Sequence, residues 1–210
     1  MQITTTPLDG MLIVTPRVFE DERGYFLETH HHRRFQSAKI DSVFVQDNLS
    51  FSTKSVLRGL HFQKTKPQAK LIQAISGGIF DVGVDLRPDS PTFGKWFGVV
   101  LSEENKRQLF VPEGFAHGYC VLSRYAHVAY KCSDYYDPED EGGLLWSDPD
   151  IGIDWPVKDP ILSAKDRQFG YLKDWNCNVK LLITGTNGRL DHAPTAQAQL
   201  KAYRLQAPTI

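Results

Sequence analysis

Cysteine is scarce in this chain: Cys120, Cys132 and Cys177 are the only three. They are too few and too irregularly spaced for a disulfide framework or a zinc cluster, a usage that fits a reducing compartment. No apolar run reaches membrane-spanning length, and Met1-Gln2-Ile3-Thr4-Thr5-Thr6 has no cationic segment followed by an apolar core. The expectation is a soluble, cytoplasmic protein with no membrane partner. Excess charge is missing as well, since 24 Lys and Arg stand against 25 Asp and Glu for a formal net charge of -1. Bulk electrostatics therefore favours neither nucleic acid nor an anionic membrane surface as a partner, although a local anion site stays open. Helical periodicity is also rare. What remains is 210 residues, 41% of them hydrophobic, enough for one domain with a sizeable core and a tail.

Short strand-like runs separated by turn signals fill most of the chain. Arg23-Gly24 reads as a turn between two strands. Ile79 to Leu86 alternates, with Phe80, Val82, Val84 and Leu86 on one face, and predicts a half-buried antiparallel strand. Strands follow at Lys95 to Leu101, Leu109 to Val111 and His127 to Cys132. This pattern predicts an all-β sandwich or barrel with few helices. Ser163 and Asp166 have the spacing of a capping box and predict a short helix there.

The chemistry gathers in Val56-Leu57-Arg58-Gly59-Leu60-His61-Phe62-Gln63 and the nearby Lys70. An imidazole beside cations suits proton abstraction next to a carbonyl: His61 as general base, Arg58 or Lys70 holding the oxygen that gains charge. A lone histidine in an apolar strand is also an ordinary core residue, so His61 needs partners. On a regular strand Arg58 and His61 would point to opposite faces, and Gly59 predicts a bulge that re-aims them. Gln46 and Asn48, two apart, share one strand face, inward or outward. Pro112 to Gly118 is a Pro/Gly turn that delivers a second histidine, His117, into a new strand. The tract His30-His31-His32-Arg33-Arg34 cannot converge on one metal ion and reads as a solvated basic face.

Taken together, Arg23-Gly24-Tyr25-Phe26, Gln46-Asp47-Asn48, Leu57 to Gln63, Phe80-Asp81-Val82, Pro112 to Gly118, Tyr130-Lys131 and Ser163-Ala164-Lys165-Asp166 closely resemble the dTDP-4-dehydrorhamnose 3,5-epimerase family of the cupin superfamily. The resemblance implies a cupin-type jelly-roll barrel over residues 1–174, usually as a homodimer that exchanges N-terminal strands, acting without a cofactor or metal. The implied substrate is a dTDP-linked 4-keto-6-deoxy sugar, epimerised at carbons 3 and 5 because the ketone between them acidifies both protons. In that pattern His61 is the proton acceptor, Asp166 its partner, Tyr130 the proton donor and Lys70 the cation at the enolate oxygen. Arg23, Glu28, Gln46, Asn48, Arg58, His117, Glu141 and Lys165 are implied contacts to substrate or diphosphate. Tyr136 is implied to stack on thymine, with its neighbour Tyr135 as packing. Related chemistry stays open: a mono-epimerase or ketoisomerase on a similar keto-sugar, or a non-catalytic sugar-nucleotide-binding cupin.

Residues 175–210 depart from the family. Val179 to Leu190 resembles the first strand and glycine turn of dTDP-4-dehydrorhamnose reductase, but Asp191 stands at the third glycine position and too little chain follows for a βαβ unit. The expectation is a truncated fusion remnant that binds no NAD(P), or simply a short strand and turn.

Overall fold

The computed structural model describes residues 1–175 and 196–206; the reductase-like stretch 179–191 lies outside them. Two hairpins open the chain, β1 (Gln2–Thr5) with β2 (Leu12–Thr15), and β3 (Val18–Asp21) with β4 (Gly24–Leu27). The predicted turn forms one residue earlier, at Glu22-Arg23, with Gly24 opening β4 opposite Asp21. A short helix α1 (His32–Ser37) precedes β5 (Gln46–Thr53), β6 (Leu57–Gln63), β7 (Lys70–Ser76) and β8 (Gly78–Asp85). Then come β9 (Trp96–Ser102), β10 (Gln108–Val111), β11 (Phe115–Val121), β12 (Tyr125–Cys132), β13 (Glu141–Gly143) and, in the tail, the helix α2 (Ala196–Gln206).

These strands assort into a six-stranded sheet, β1-β2-β10-β7-β12-β5, and a five-stranded sheet, β13-β6-β11-β8-β9, with the β3-β4 hairpin apart. Neighbours in each sheet are mostly distant in sequence and antiparallel, as β12 is to both β5 and β7. The architecture is the cupin-type jelly roll. Between the sheets, Ile72, Ala74 and Val128 pack against Ile79, Val99, Leu101 and Val121. On the other side of the five-stranded sheet, Leu60, Phe80, Val82, Val84 and Val100 are covered by Leu144, Ile151 and Leu172 and by Tyr203 of α2.

That second cover corrects the expectation for Ile79 to Leu86. The strand is buried on both faces, because the irregular segment 144–175 shields the face that an uncovered antiparallel sheet would leave wet. The predicted helix at Ser163 is instead a single turn, closed by Gln168 N–H to Lys165 O at 2.9 Å. The cap itself forms, with Asp166 N–H donating to Ser163 Oγ at 3.0 Å. Nor is the histidine tract uniformly solvated: His30 packs its ring between Phe35 and Phe44, while His32 and both arginines stay exposed.

Candidate active site

The bulge predicted at Gly59 forms. His117 pairs with His61 and Tyr119 with Arg58, so β6 spans three residues where β11 spans two. The extra residue removes the parity conflict and leaves Arg58 and His61 as the two residues of β6 that are not buried. Only glycine fits at the bulge, since its φ is +112° and an added Cβ would stand 2.6 Å from His117 O.

His61 lines a cavity of about 280 Å³ at the mouth of the barrel, together with Gln46, Asn48, Lys70, Tyr130, Tyr136 and Glu141. The walls come from different sheets. His61 on β6 and Glu141 on β13 belong to the five-stranded sheet, and Lys70 on β7, Tyr130 on β12, and Gln46 and Asn48 on β5 to the six-stranded one. A flat ligand between the sheets would present one face to His61 and the other to Tyr130.

Each wall is wired in place. His61 Nε2 lies 2.6 Å from Asp166 Oδ1, so the carboxylate accepts a hydrogen bond from Nε2–H and leaves the Nδ1 lone pair for a substrate. Burial opposes ionisation of Asp166, but the bonds from His61, Ser163 and the Gly59 N–H outweigh it and hold its carboxyl below the usual range. Burial also pulls the Lys70 ammonium below its ordinary value, against the charges of Cys132, Glu141 and Asp81. The Tyr130 phenol is pushed up to about 12, first by burial and then by Cys132, so it keeps its proton at neutral pH. Gln46 and Asn48 face inward and are locked in series. The Tyr136 N–H donates to Gln46 Oε1 at 2.9 Å and Gln46 Nε2 to Asn48 Oδ1 at 3.0 Å. Lys165 pairs with Glu141, which also accepts from the Tyr136 hydroxyl.

Arg58 sits just outside the lining, donating to Ser52 Oγ at 3.0 Å, yet its charge reaches Tyr130. His117 is buried and bonded to Asp81 Oδ1 at 2.7 Å. Arg23 and Glu28 are not brought to the cavity within one chain: Arg23 pairs with Asp21 on the exposed β3-β4 hairpin, and Glu28 with Arg34. Tyr135, expected to pack, is 67% exposed. Two residues were assigned no role from sequence. Cys132 lines the cavity and accepts from Asn48 Nδ2 at 3.6 Å; its place two after Tyr130, on the same strand face, was the available signal. Asp81 is fully buried and bonded to His117, and burial raises its carboxyl above the usual range against the opposing pull of His117 and Lys70. Its place among the apolar Ile79, Phe80, Val82 and Val84 was the signal there.

The site therefore holds a carboxylate-bonded imidazole and a protonated phenol on opposite walls, with the Lys70 amine beside them and polar groups around the mouth. A family model described as dTDP-4-dehydrorhamnose 3,5-epimerase matches residues 5–174. The dTDP-4-dehydrorhamnose 3,5-epimerase of Methanothermobacter thermautotrophicus is 55% identical over 172 residues, covering 80% of this chain and 93% of that protein. A crystal structure of the enzyme of that name from Elizabethkingia anophelis superposes with a TM-score of 0.81 at 48% identity, covering 84% of this chain and 99% of that one. The dTDP-6-deoxy-D-glucose-3,5-epimerase of Legionella pneumophila, solved with dTDP-4-keto-L-rhamnose, gives 0.80 at 48% identity over 82% and 93% of the two chains. With a matched stretch that contains every residue of the cavity just described, this chain belongs to the dTDP-4-dehydrorhamnose 3,5-epimerase family.

Proposed function

We propose that this protein converts dTDP-4-dehydro-6-deoxy-D-glucose to dTDP-4-dehydro-L-rhamnose, inverting carbons 3 and 5 by proton removal and return on opposite faces. The observation that carries this reading is the placement of His61 and Tyr130 on facing sheets of one cavity. Neutral His61 removes the proton from a carbon beside the ketone, and the C–H electron pair moves into the enolate. Asp166 stabilises the resulting imidazolium without accepting its proton. Lys70 is the cation placed to hold the enolate oxygen, an interaction that strengthens as charge develops and so lowers the barrier. Tyr130 returns a proton from the other face. A phenol held near pKa 12 delivers it only to a strong base, which the enolate carbon is. The substrate's own ketone supplies the acidity, so the sequence of steps requires no cofactor.

The catalytic unit in this reading is residues 1–174, with 175–210 appended, and its cysteine usage suits the cytoplasm. The partner is a second copy of the chain. Support comes from the β3-β4 hairpin, which carries Phe19, Tyr25, Phe26 and Arg23 exposed, and from the uncovered Leu49, Phe51 and Ile75 on the six-stranded sheet. A homodimer covers these surfaces and brings the hairpin's Arg23 to the diphosphate of the other copy's substrate, where a bidentate cation is useful.

Proton NMR of dTDP-4-dehydro-6-deoxy-D-glucose turned over in heavy water tests the chemistry. Deuterium at carbons 3 and 5 with inverted coupling constants is the expected result. Label at one carbon identifies a mono-epimerase, and none leaves a binding cupin.

A further inference from the structure

The helix α2 lies beyond residues 5–174, which the family model matches, yet the barrel is shaped to receive it. Gln199 Nε2 donates to Gly98 O at 3.0 Å, and Gln199 Oε1 accepts the Val100 N–H at 3.0 Å. One carboxamide thus takes the carbonyl of a residue and the N–H two residues on, as a residue of an adjoining parallel strand does. Asn105 continues the pattern, donating to Val100 O at 2.9 Å and accepting the Ser102 N–H at 3.1 Å. Side chains therefore occupy the outer edge of β9 where a further strand would pair.

This edge needs cover. Trp96-Phe97-Gly98-Val99-Val100-Leu101-Ser102 carries no charge and no proline, the two features that most often keep an edge strand from pairing with another chain. Tyr203 provides a second, independent anchor. It is only 8% exposed and packs with Phe80 and Val100. The three atoms nearest an added Cβ at Gly78 all belong to the Tyr203 ring, the closest at 2.4 Å. Gly78 is not in the left-handed region. Its missing side chain is explained by room for the tail's aromatic ring.

We propose that residues 196–206 are a built-in cap for the β9 edge, and that undocking them opens a strand-pairing surface whose occupant is β9 of another copy of this chain. The edge is remote from the chemistry, because β9 and β6 are separated by β8 and β11, about 14 Å at the usual strand spacing. Cap and catalysis are therefore separable.

The test uses the full chain with Gln199→Ala, Tyr203→Ala and Gln199→Glu. The last keeps an acceptor for Val100 but has no donor for Gly98. Backbone hydrogen exchange across 98–102 is followed by mass spectrometry, and molar mass by light scattering over a concentration series. Both alanine variants are expected to exchange roughly tenfold faster or more at Val100 and to form species heavier than wild type as concentration rises, with Gln199→Glu intermediate. Keto-sugar turnover stays at the wild-type level, which also reports that the barrel is folded. Unchanged exchange at Val100 overturns the cap, and unchanged mass at every concentration overturns the pairing surface.

Discussion

Asp166 carries two duties that a single substitution separates. Its backbone N–H closes the turn onto Ser163, and its carboxylate fixes the His61 tautomer. Asp166→Asn keeps the first and can present an N–H to Nε2, moving the proton to Nδ1, where the base must act. By analogy with the loss when a triad carboxylate becomes an amide, kcat is expected to fall about 10³- to 10⁴-fold while KM changes little, as steady-state assays with the dTDP keto-sugar would show. Stability follows the same bond. The folded-state pKa of Asp166 is lowered from 3.8, so its contribution is present above about pH 3.8 and is lost as pH falls through the lower folded value. Asp166→Asn should thus be about 1–3 kcal/mol less stable than wild type at pH 7, with the gap closing in thermal melts as the pH falls below 3.8. The role of Asp166 was legible only through the family motif, since the capping spacing alone explains an aspartate there. Asp81 stood in the family motif Phe80-Asp81-Val82 but was not legible as a partner of His117, because that pairing joins residues on different strands.

Gly59 shows what a whole element contributes. From sequence, a glycine between Arg58 and His61 predicted a bulge, and the register of β6 against β11 has it. Gly59→Ala places a Cβ 2.6 Å from His117 O and 2.7 Å from Gly118 Cα at a left-handed φ, with rigid backbone on both sides. The expected cost is about 2 kcal/mol or more, read by urea denaturation, together with loss of turnover because His61 is re-aimed. A variant with wild-type stability and rate would deny the bulge its part in the site. Elements whose burial depends on irregular chain were harder to read. The alternation of Phe80, Val82, Val84 and Leu86 marked an apolar face correctly, but that face is covered by the irregular segment 144–175, which leaves the other face to the opposite sheet. The turn at Ser163 failed to become a helix because Ile161 bridges Val56 and Gly170 bridges Leu144, pinning both flanks to the barrel within a few residues. Neither cover nor flanking bridges leave a periodic trace in sequence.

At the scale of the molecule, one chain gathers His61, Tyr130 and Lys70, the proposed base, acid and oxygen-binding cation, but leaves Arg23 outside, on a hairpin that belongs to neither main sheet. If Arg23 serves the site of another copy, two damaged chains can repair each other. His61→Ala removes the base from a chain's own cavity, whereas Arg23→Ala removes the cation that the chain lends. In a two-fold dimer containing one of each, one site carries both lesions and the other carries none. Equal amounts of the two variants, unfolded together and refolded, put half of the chains in such mixed dimers, so about a quarter of all sites are intact and activity should recover to about a quarter of wild type. Were Arg23 to act within its own chain, each site of a mixed dimer would carry one lesion and mixing would restore nothing. The two arrangements differ by the whole of the recovered rate, and dTDP keto-sugar turnover before and after co-refolding reads it directly.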